Sequence, residues 1–438
     1  MARVHWGWTK LAVAAVASVL CFAMAREARA AAPVSQISVS DHACAVEMDG
    51  SVWCWGPNGT GSIGDGTTTD RPTPVQVSGL PVGDPVTQVS TGILTTYVVT
   101  AAHRVYTWGS NSTGQLGTGT VGGNSTVPVQ ITALGSTVAK ISGGDGHACA
   151  LKTDGTIYCW GANSSGQLGD GFTTNTSLPV YTINFGSNGL IGPAVEVSAG
   201  SQSTCAIDAF GEVWCWGNNT FGQLGDGTTS ARTTPVLVST PQGRTALHVS
   251  AGGGDTCATM ADGTAWCWGY NLDGELGNGS RINSLTPVEV APVTTYSDSI
   301  SLVSSGACLV ASEINSDDGT VAVDRAAWCW GSIPYDFPQP TTIGPQRVIA
   351  FGSPLAQISG GGFGLCVLKA NDRSVYCALN FILEEDKPAF SSGVVPGFPA
   401  PAPPSVPALG AWTQVALALL LSVVALAVAG RGRRPASA

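Results

Sequence analysis

Short apolar runs with a two-residue period recur along this chain, separated by Gly, Asp and Asn. "VEVSAG" (Val195–Gly200), "ACALK" from Ala148, "TIYCWG" from Thr156 and "TPVLV" from Thr234 all show the pattern. Alternation at that period predicts half-buried β-strands, and Asp-Gly at Asp49, Asp154 and Asp262 predicts tight hairpin turns. In "VWCW", Trp53 and Trp55 fall on one side of a strand and Cys54 on the other. No amphipathic helical stretch interrupts these runs, so the expected class is all-β.

The runs are organised as repeats. An aromatic-Cys-Trp-Gly element stands as "WCWG" from 53, 214, 266 and 328 and as "YCWG" from 158, with variants "YTWG" from 106 and "YCAL" from 376. Its second position falls at 54, 107, 159, 215, 267, 329 and 377, spacings of 53, 52, 56, 52, 62 and 48. Each unit reads as strand, strand, Asp-Gly turn, strand, Gly-rich loop ("GQLGDG") and a Pro-Val strand. Four short strands at this period describe one blade of a propeller, though a solenoid shares the period. The first aromatic of the element is present in all seven units, as Trp53, Tyr106, Tyr158, Trp214, Trp266, Trp328 and Tyr376. Packing between adjacent sheets is the simplest use of such rings; carbohydrate stacking is the alternative.

The phrase "HACALKTDGTIYCWGANSSGQLGDG" from His147, with its copies, resembles the regulator of chromosome condensation repeat over about residues 36–380. That resemblance implies a seven-bladed β-propeller, placed here at residues 36–395. Repeat 2 departs from the pattern with Tyr97 and Thr107 in place of both cysteines. Repeat 6 replaces the "GQLG" loop with "SIPYDFPQPTTIGPQ" from Ser332, and repeat 7 ends at "YCALN". A strand around "FSSGVV" at Phe390 is expected to supply the missing fourth position, beside the first repeat.

Twelve of the 13 cysteines fall into within-repeat pairs: Cys44/Cys54, Cys149/Cys159, Cys205/Cys215, Cys257/Cys267, Cys308/Cys329 and Cys366/Cys377. A hairpin turning at Asp49 sets Cys44 opposite Cys54, and repeat 2 loses both cysteines together. Six cross-strand disulfides are expected. Free thiols on an apolar sheet face are one alternative. A metal site is the other, with too few ligands per repeat.

The two ends differ from the body. Arg3 and Lys10, the apolar run Leu11–Met24 and "ARA" at 28–30 read as a signal peptide over residues 1–30, with an uncleaved anchor as alternative. Residues 396–408 form a Pro-rich spacer. Residues 409–434 carry a charge-free apolar run followed by Arg431, Arg433 and Arg434, read as a transmembrane helix with its arginines cytoplasmic. This tail resembles the C-terminal sorting signals of Gram-negative exported proteins at Val406, Pro407, Ala408, Leu409 and Trp412, departing from them at Ala408 and Gly410. Between the ends, residues 31–400 hold 28 acidic and 12 basic side chains, a net of −16. Such a body repels phosphate backbones, which excludes a nucleic-acid partner.

The residues name no chemistry. His42 and His147 share one repeat slot, a structural position. His103 and His248 show no acidic partner in sequence. Asp65, Asp170 and Asp226 recur in the Gly-rich loop, as turn formers do. No nucleophile motif, phosphate loop or metal signature appears, so no cofactor is expected. The reading is an exported, envelope-anchored, monomeric propeller that binds a protein or glycan. An exported enzyme inhibitor or enzyme using one rim is the alternative. Guanine-nucleotide exchange, which the family resemblance also implies, fits the export signal least. The partner-binding candidates lie where repeat 6 departs from the pattern: Glu313, Asp317, Asp318, Arg325, Tyr335 and Phe337.

Overall fold

The computed structural model describes residues 32–379 and 393–394, apart from 187–189, 242, 292–294, 304, 315–320, 333–341, 349–353 and 363. The segments 1–30, 396–408 and 409–434 lie outside the described residues. Among those described, no helix is long and apolar enough to cross a membrane.

Seven four-stranded antiparallel sheets follow one another along the chain, each in simple sequential order. Blade 1 is β1–β4 (Val34–Gln76), blade 2 β5–β8 (Val86–Gln130), blade 3 β9–β12 (Val138–Tyr181) and blade 4 β13–β16 (Ala194–Leu237). Blade 5 is β17–β20 (Ala246–Glu289), blade 6 β21–β24 (Thr295–Val348) and blade 7 β25–β28 (Leu355–Val394). β28 (Gly393–Val394) pairs with β27 (Val375–Leu379) at Tyr376↔Val394 and Cys377↔Gly393, so the two described residues of "FSSGVV" supply the fourth strand of blade 7, against β27. The ring closes where blade 1 packs on blade 7: Val34, Ile37 and Trp55 share a core with Cys366, Leu368, Val375 and Cys377.

All six expected cysteine pairs are bonded, with Cα–Cα separations of 4.1 Å. Each lies at directly opposed positions of a hairpin, as Cys149 does with Cys159. Every cystine of blades 1 and 3–5 packs against the Trp that ends the next blade's element. Cys44–Cys54 meets Trp108, Cys149–Cys159 meets Trp216, Cys205–Cys215 meets Trp268, and Cys257–Cys267 meets Trp330. Cys366–Cys377 of blade 7 shares the closure core with Trp55.

The blade-6 cystine, Cys308–Cys329, is the departure from this common arrangement. Cys329 stands 21 residues after Cys308, where the first four pairs are 10 apart. The short hairpin that sets Cys44 opposite Cys54 therefore does not describe Cys329. Its bond is made across the long β22–β23 hairpin, at the opposed position Cys308↔Cys329. On the outer strand Cys329 faces Gln346, where Cys54, Cys159, Cys215 and Cys267 face Val75, Val180, Val236 and Val288. Blade 7 has Ala378 in place of the second aromatic, so no indole covers this cystine. Leu355, Ile358, Leu365 and Val367 fill the space instead.

The second aromatics are the fully buried ones. The first aromatics, such as Trp53 and Tyr158, pack at the margin of the same interfaces and are only partly buried. Cations cover three of their faces: Lys152 on Tyr158, Arg244 on Trp266 and Lys369 on Tyr376. That geometry favours packing over carbohydrate stacking.

The inner strands are joined by side chains rather than by a ladder. Gln36 accepts from Val89 N and donates to Val89 O at 2.8 and 3.2 Å; Gln88 does the same to Ile141 at 2.9 and 3.1 Å. Gln357 repeats the arrangement on Ile37 across the closure. A serine two residues on accepts a second backbone N–H in several blades, as Ser142 does from Ala199 and Ser359 from Val39. Backbone groups facing the central channel are thereby satisfied although adjacent blades splay apart.

Candidate binding surfaces

Antiparallel order sends the first-to-second strand turns and the long third-to-fourth strand loops to one end of the ring. We term this the loop face. The second-to-third strand hairpins and the blade-to-blade connections occupy the other end, the hairpin face.

A buried Asn holds each of the long loops of blades 1–5 by hydrogen bonds. In blade 3, Asn163 Nδ2 donates to Asp170 Oδ1, Phe172 O and Thr174 O at 3.1–3.2 Å, and its Oδ1 accepts from Leu168 N at 3.0 Å. Asn58, Asn111, Asn219 and Asn271 hold the same position in blades 1, 2, 4 and 5, each fully buried. The loop then supports its neighbour: Gln167 O accepts from Trp216 Nε1 at 2.9 Å. Gly169, at φ +70°, lies beneath that indole; a Cβ there would sit 2.8 Å from Nε1. The recurrent aspartates serve these loops too. Asp65 pairs with Arg71 and Asp226 with Arg232 at 2.5 and 2.7 Å. Burial opposes ionisation of both carboxyls, but bonds from Thr67 and Arg71, and from Thr228 and Arg232, outweigh it and hold them below the usual range.

The structural role expected for two histidines holds. His42 Nε2 is 2.6 Å from Thr96 Oγ1, and His147 Nε2 is 2.9 Å from Thr204 Oγ1. Each hydroxyl donates onward to a loop carbonyl, Ser62 O or Gln167 O, so it accepts from the imidazole N–H. Burial lowers both histidines to about 4 and keeps them neutral. His248 departs from expectation: Glu196, one blade back on the inner girdle, lies 3.1 Å from its Nδ1. The two are 52 residues apart, so only the repeat register brings them together. Blade 5 alone puts Asp255 in the slot of His42 and His147. Asp255 and Glu275 are buried and interact, and burial followed by the Glu275 charge raises Asp255 to about 7.

At the loop face the channel opens into a cavity of about 280 Å3 lined by every blade, including Ser40, Ile93, Asp145, Ser201, Gly253, Val303 and Gly362. Asp41 flanks it, its Oδ1 lying 2.9 Å from where a Cβ on Gly362 would be. Burial first, then Asp145, raises Asp41 to about 6; burial raises Asp145. Among the described residues the bases at this end are Arg71, Arg232 and Arg281, the first two paired. The hairpin face carries Arg104, Lys152, Arg244, Lys369 and Arg373.

On the hairpin face, β22 (Ser305–Ile314) and β23 (Val321–Ser332) pair from Ser305↔Ser332 to Ile314↔Val321, well beyond the other hairpins. Glu313 sits on β22 opposite Thr295 of β21 (Thr295–Val303), and Arg325 on β23 opposite Ser312. The extension thus carries two of the six partner-binding candidates. Asp317, Asp318, Tyr335 and Phe337 lie outside the described residues.

The RCC1-like domain family matches residues 22–312. The chain belongs to that family. Among proteins, this RCC1-like chain is 30% identical over 256 residues to "Ultraviolet-B receptor UVR8" of Arabidopsis thaliana, covering 58% of this chain and 57% of that one. It is 28% identical over 259 residues to "RCC1 domain-containing protein RUG3, mitochondrial" of Arabidopsis thaliana, covering 57% and 56%. A match to "E3 ubiquitin-protein ligase HERC2" of Homo sapiens, 31% identical, covers 59% of this chain and 6% of that protein. The chain thus spans about half the length of the first two relatives and a small part of the ligase. Among solved structures, human WBSCR16 superposes with TM-score 0.64 at 22% identity, over 76% of this chain and 85% of that one. Prp20p of Saccharomyces cerevisiae follows at 0.62 and 19%, over 75% and 80%. At these identities the superpositions establish the fold.

Sequence reasoning missed the Glu196–His248 contact and the Asp255–Glu275 pair. Aligning the repeats slot by slot holds the signal for both, because each occupies a position where the other blades differ in charge.

Proposed function

We propose that this RCC1-like propeller works outside the cytoplasm as a binding module for a protein or glycan partner. The observation that carries the reading is the extended β22–β23 hairpin. A blade needs only the short hairpin of the other six, so the added strand length serves something other than folding. Six disulfides fit an extracellular protein, where such bonds persist. The exported, envelope-anchored setting comes from the sequence of residues 1–30 and 409–434, and the acidic body disfavours phosphate-rich ligands.

Capture with the purified propeller from envelope extracts identifies the partner, and the variant lacking 313–325 then tests the surface. The deletion is expected to melt cooperatively, as the parent does, and to bind the identified partner at least roughly tenfold more weakly, the loss of about one interface anchor. Unchanged affinity would remove the hairpin from the reading.

A further inference from the structure

The loop face holds a second surface that the repeat does not require. Blades 1–5 build their long loops on the same buried Asn, and the slots around it can be compared directly. Where blade 5 has Leu272, the earlier blades have Gly59, Ser112, Ser164 and Thr220. Where blade 4 has Phe221, blades 1–3 have Thr60, Thr113 and Ser165. At Ile282 the loop Asn bonds only the backbone carbonyl, as it does at Thr69, Gly122, Thr174 and Ser230. The bond pattern is common to all five blades, so the fold does not call for large apolar side chains at these places.

Those side chains nevertheless stand in the open, and one of them is paired. Phe221 and Tyr270 meet edge to face at 5.0 Å between centroids, on either side of Gly254. Phe221, Leu272 and Ile282 are 38%, 55% and 76% exposed. An exposed aromatic–aliphatic cluster in a polar rim is the composition of an interface anchor site. Gly253, next in the chain to Gly254, lines the channel mouth, so the patch runs onto the cavity bearing Asp145 and flanked by Asp41. Among the described residues neither carboxylate has an ion-pair partner. After burial, the charge of Asp145 disfavours ionisation of Asp41 across the mouth. The one base in the patch, Arg281, is turned to the carbonyl of Leu272 at 3.3 Å. The channel mouth therefore has no Lys or Arg among its described lining residues, and apolar area lies beside it.

We propose that the loop face of blades 4 and 5 docks a protein segment that places a Lys or Arg side chain in the channel mouth, between Asp41 and Asp145, and lays an apolar side chain across Phe221, Tyr270 and Leu272. This rests on the propeller being a protein-binding module and is independent of the blade-6 hairpin on the opposite face. Charge complementarity selects the class of partner and the apolar patch supplies the anchor.

The test uses the whole propeller and short labelled peptides of three compositions: Arg with Trp and Leu, Glu with Trp and Leu, and Arg with Ser. Fluorescence anisotropy is expected to show the first binding at least roughly tenfold more tightly than either control, with affinity falling as salt rises. Phe221→Ser with Leu272→Ser should cost at least roughly tenfold. Asp41→Asn with Asp145→Asn, which keeps both side-chain volumes, should cost a similar factor and flatten the salt dependence. Deleting 313–325 should change nothing. Equal binding of the three peptides, or none, overturns the proposal, as does unaltered affinity in both double variants that melt like the parent. Sedimentation that shows a dimer dissolved by Phe221→Ser with Leu272→Ser would assign the patch to a second copy and overturn it too. Loss of partner capture on hairpin deletion, with these peptides ignored, would sink this surface and leave the binding-module reading standing.

Discussion

Blade 2 has Tyr97 and Thr107 at the opposed positions where blade 3 has Cys149 and Cys159, and the two hairpins nonetheless pair in the same register. The cystine of blade 3 packs on Trp216. In blade 2 the Tyr97 ring packs on Trp160 instead, edge to face at 6.1 Å between centroids. Its hydroxyl donates to Gln115 O at 2.8 Å, the carbonyl that also accepts from Trp160 Nε1 at 2.9 Å. The blade interface therefore requires filled volume against the neighbouring indole, and either a cystine or a phenol provides it. What the sulfur adds is a constraint on the unfolded chain, which Tyr97 cannot supply.

The comparison separates packing from cross-linking. Removing the ring leaves a cavity beneath Trp160 and an unfilled place on a buried carbonyl. Tyr97→Ala is expected to lower unfolding free energy by about 3–5 kcal/mol in chemical denaturation, the largest effect of any single change considered. A loss below ~1 kcal/mol would mean that the slot tolerates emptiness, and the equivalence drawn between phenol and cystine would be lost. In Cys149→Ala with Cys159→Ala the share of the loss that belongs to the cross-link should be smaller, about 2–3 kcal/mol for a loop of this length, and should act mainly through the denatured state. A change in stability with no change under reducing conditions in the parent would contradict that assignment.

Much of this was legible in the sequence. The seven copies, their four strands, the cysteine pairs and the β28 closure follow from period and alternation, because a propeller blade is local in sequence. The surroundings of the pairs were less legible. Cys329 pairs as its repeat slot requires, yet its neighbours come from blade 7, whose second aromatic is replaced by Ala378. The role of the aromatics was only half legible. Alternation put Trp53 and Trp55 on one side of the strand, and depth within the interface then separated the buried Trp55 from the marginal Trp53. The inner girdle was hidden, since Gln36 and Val89 meet across blades 53 residues apart. Of the candidate hairpin and loop residues, Glu313 and Arg325 fall on the extended strands. The apolar patch was in plain view but scattered over two repeats, and only the ring brings Phe221 beside Tyr270.

The smallest effect sharpens the contrast between slots rather than blades. His42 and His147 are buried neutral at about 4, below the ordinary histidine value of 6.5, so they stabilise the fold above that value and withdraw support as pH falls toward 4. Asp255 occupies the same slot with the opposite sign. Its carboxyl is raised from 3.8 to about 7, so the folded state holds a proton that the unfolded chain has released. That contribution is complete below about 4 and is lost as pH rises through 7, where deprotonation sets a second buried charge against Glu275. Between pH 6.5 and 8 the histidines of the unfolded chain give up the protons they still hold, so His42 and His147 add stability while Asp255 loses it, and the two slopes oppose one another. The Asp255 share is a fall of roughly 1 kcal/mol across that interval, read as the difference between the parent and a variant without the carboxyl. Asp255→Asn keeps the size of the side chain and cannot ionise, so its denaturation midpoint should rise over the same range, where the midpoint of the parent stays nearly level. An unaltered slope in that variant would show that the proton resides elsewhere in the blade-5 loop, with Glu275 the first place to look.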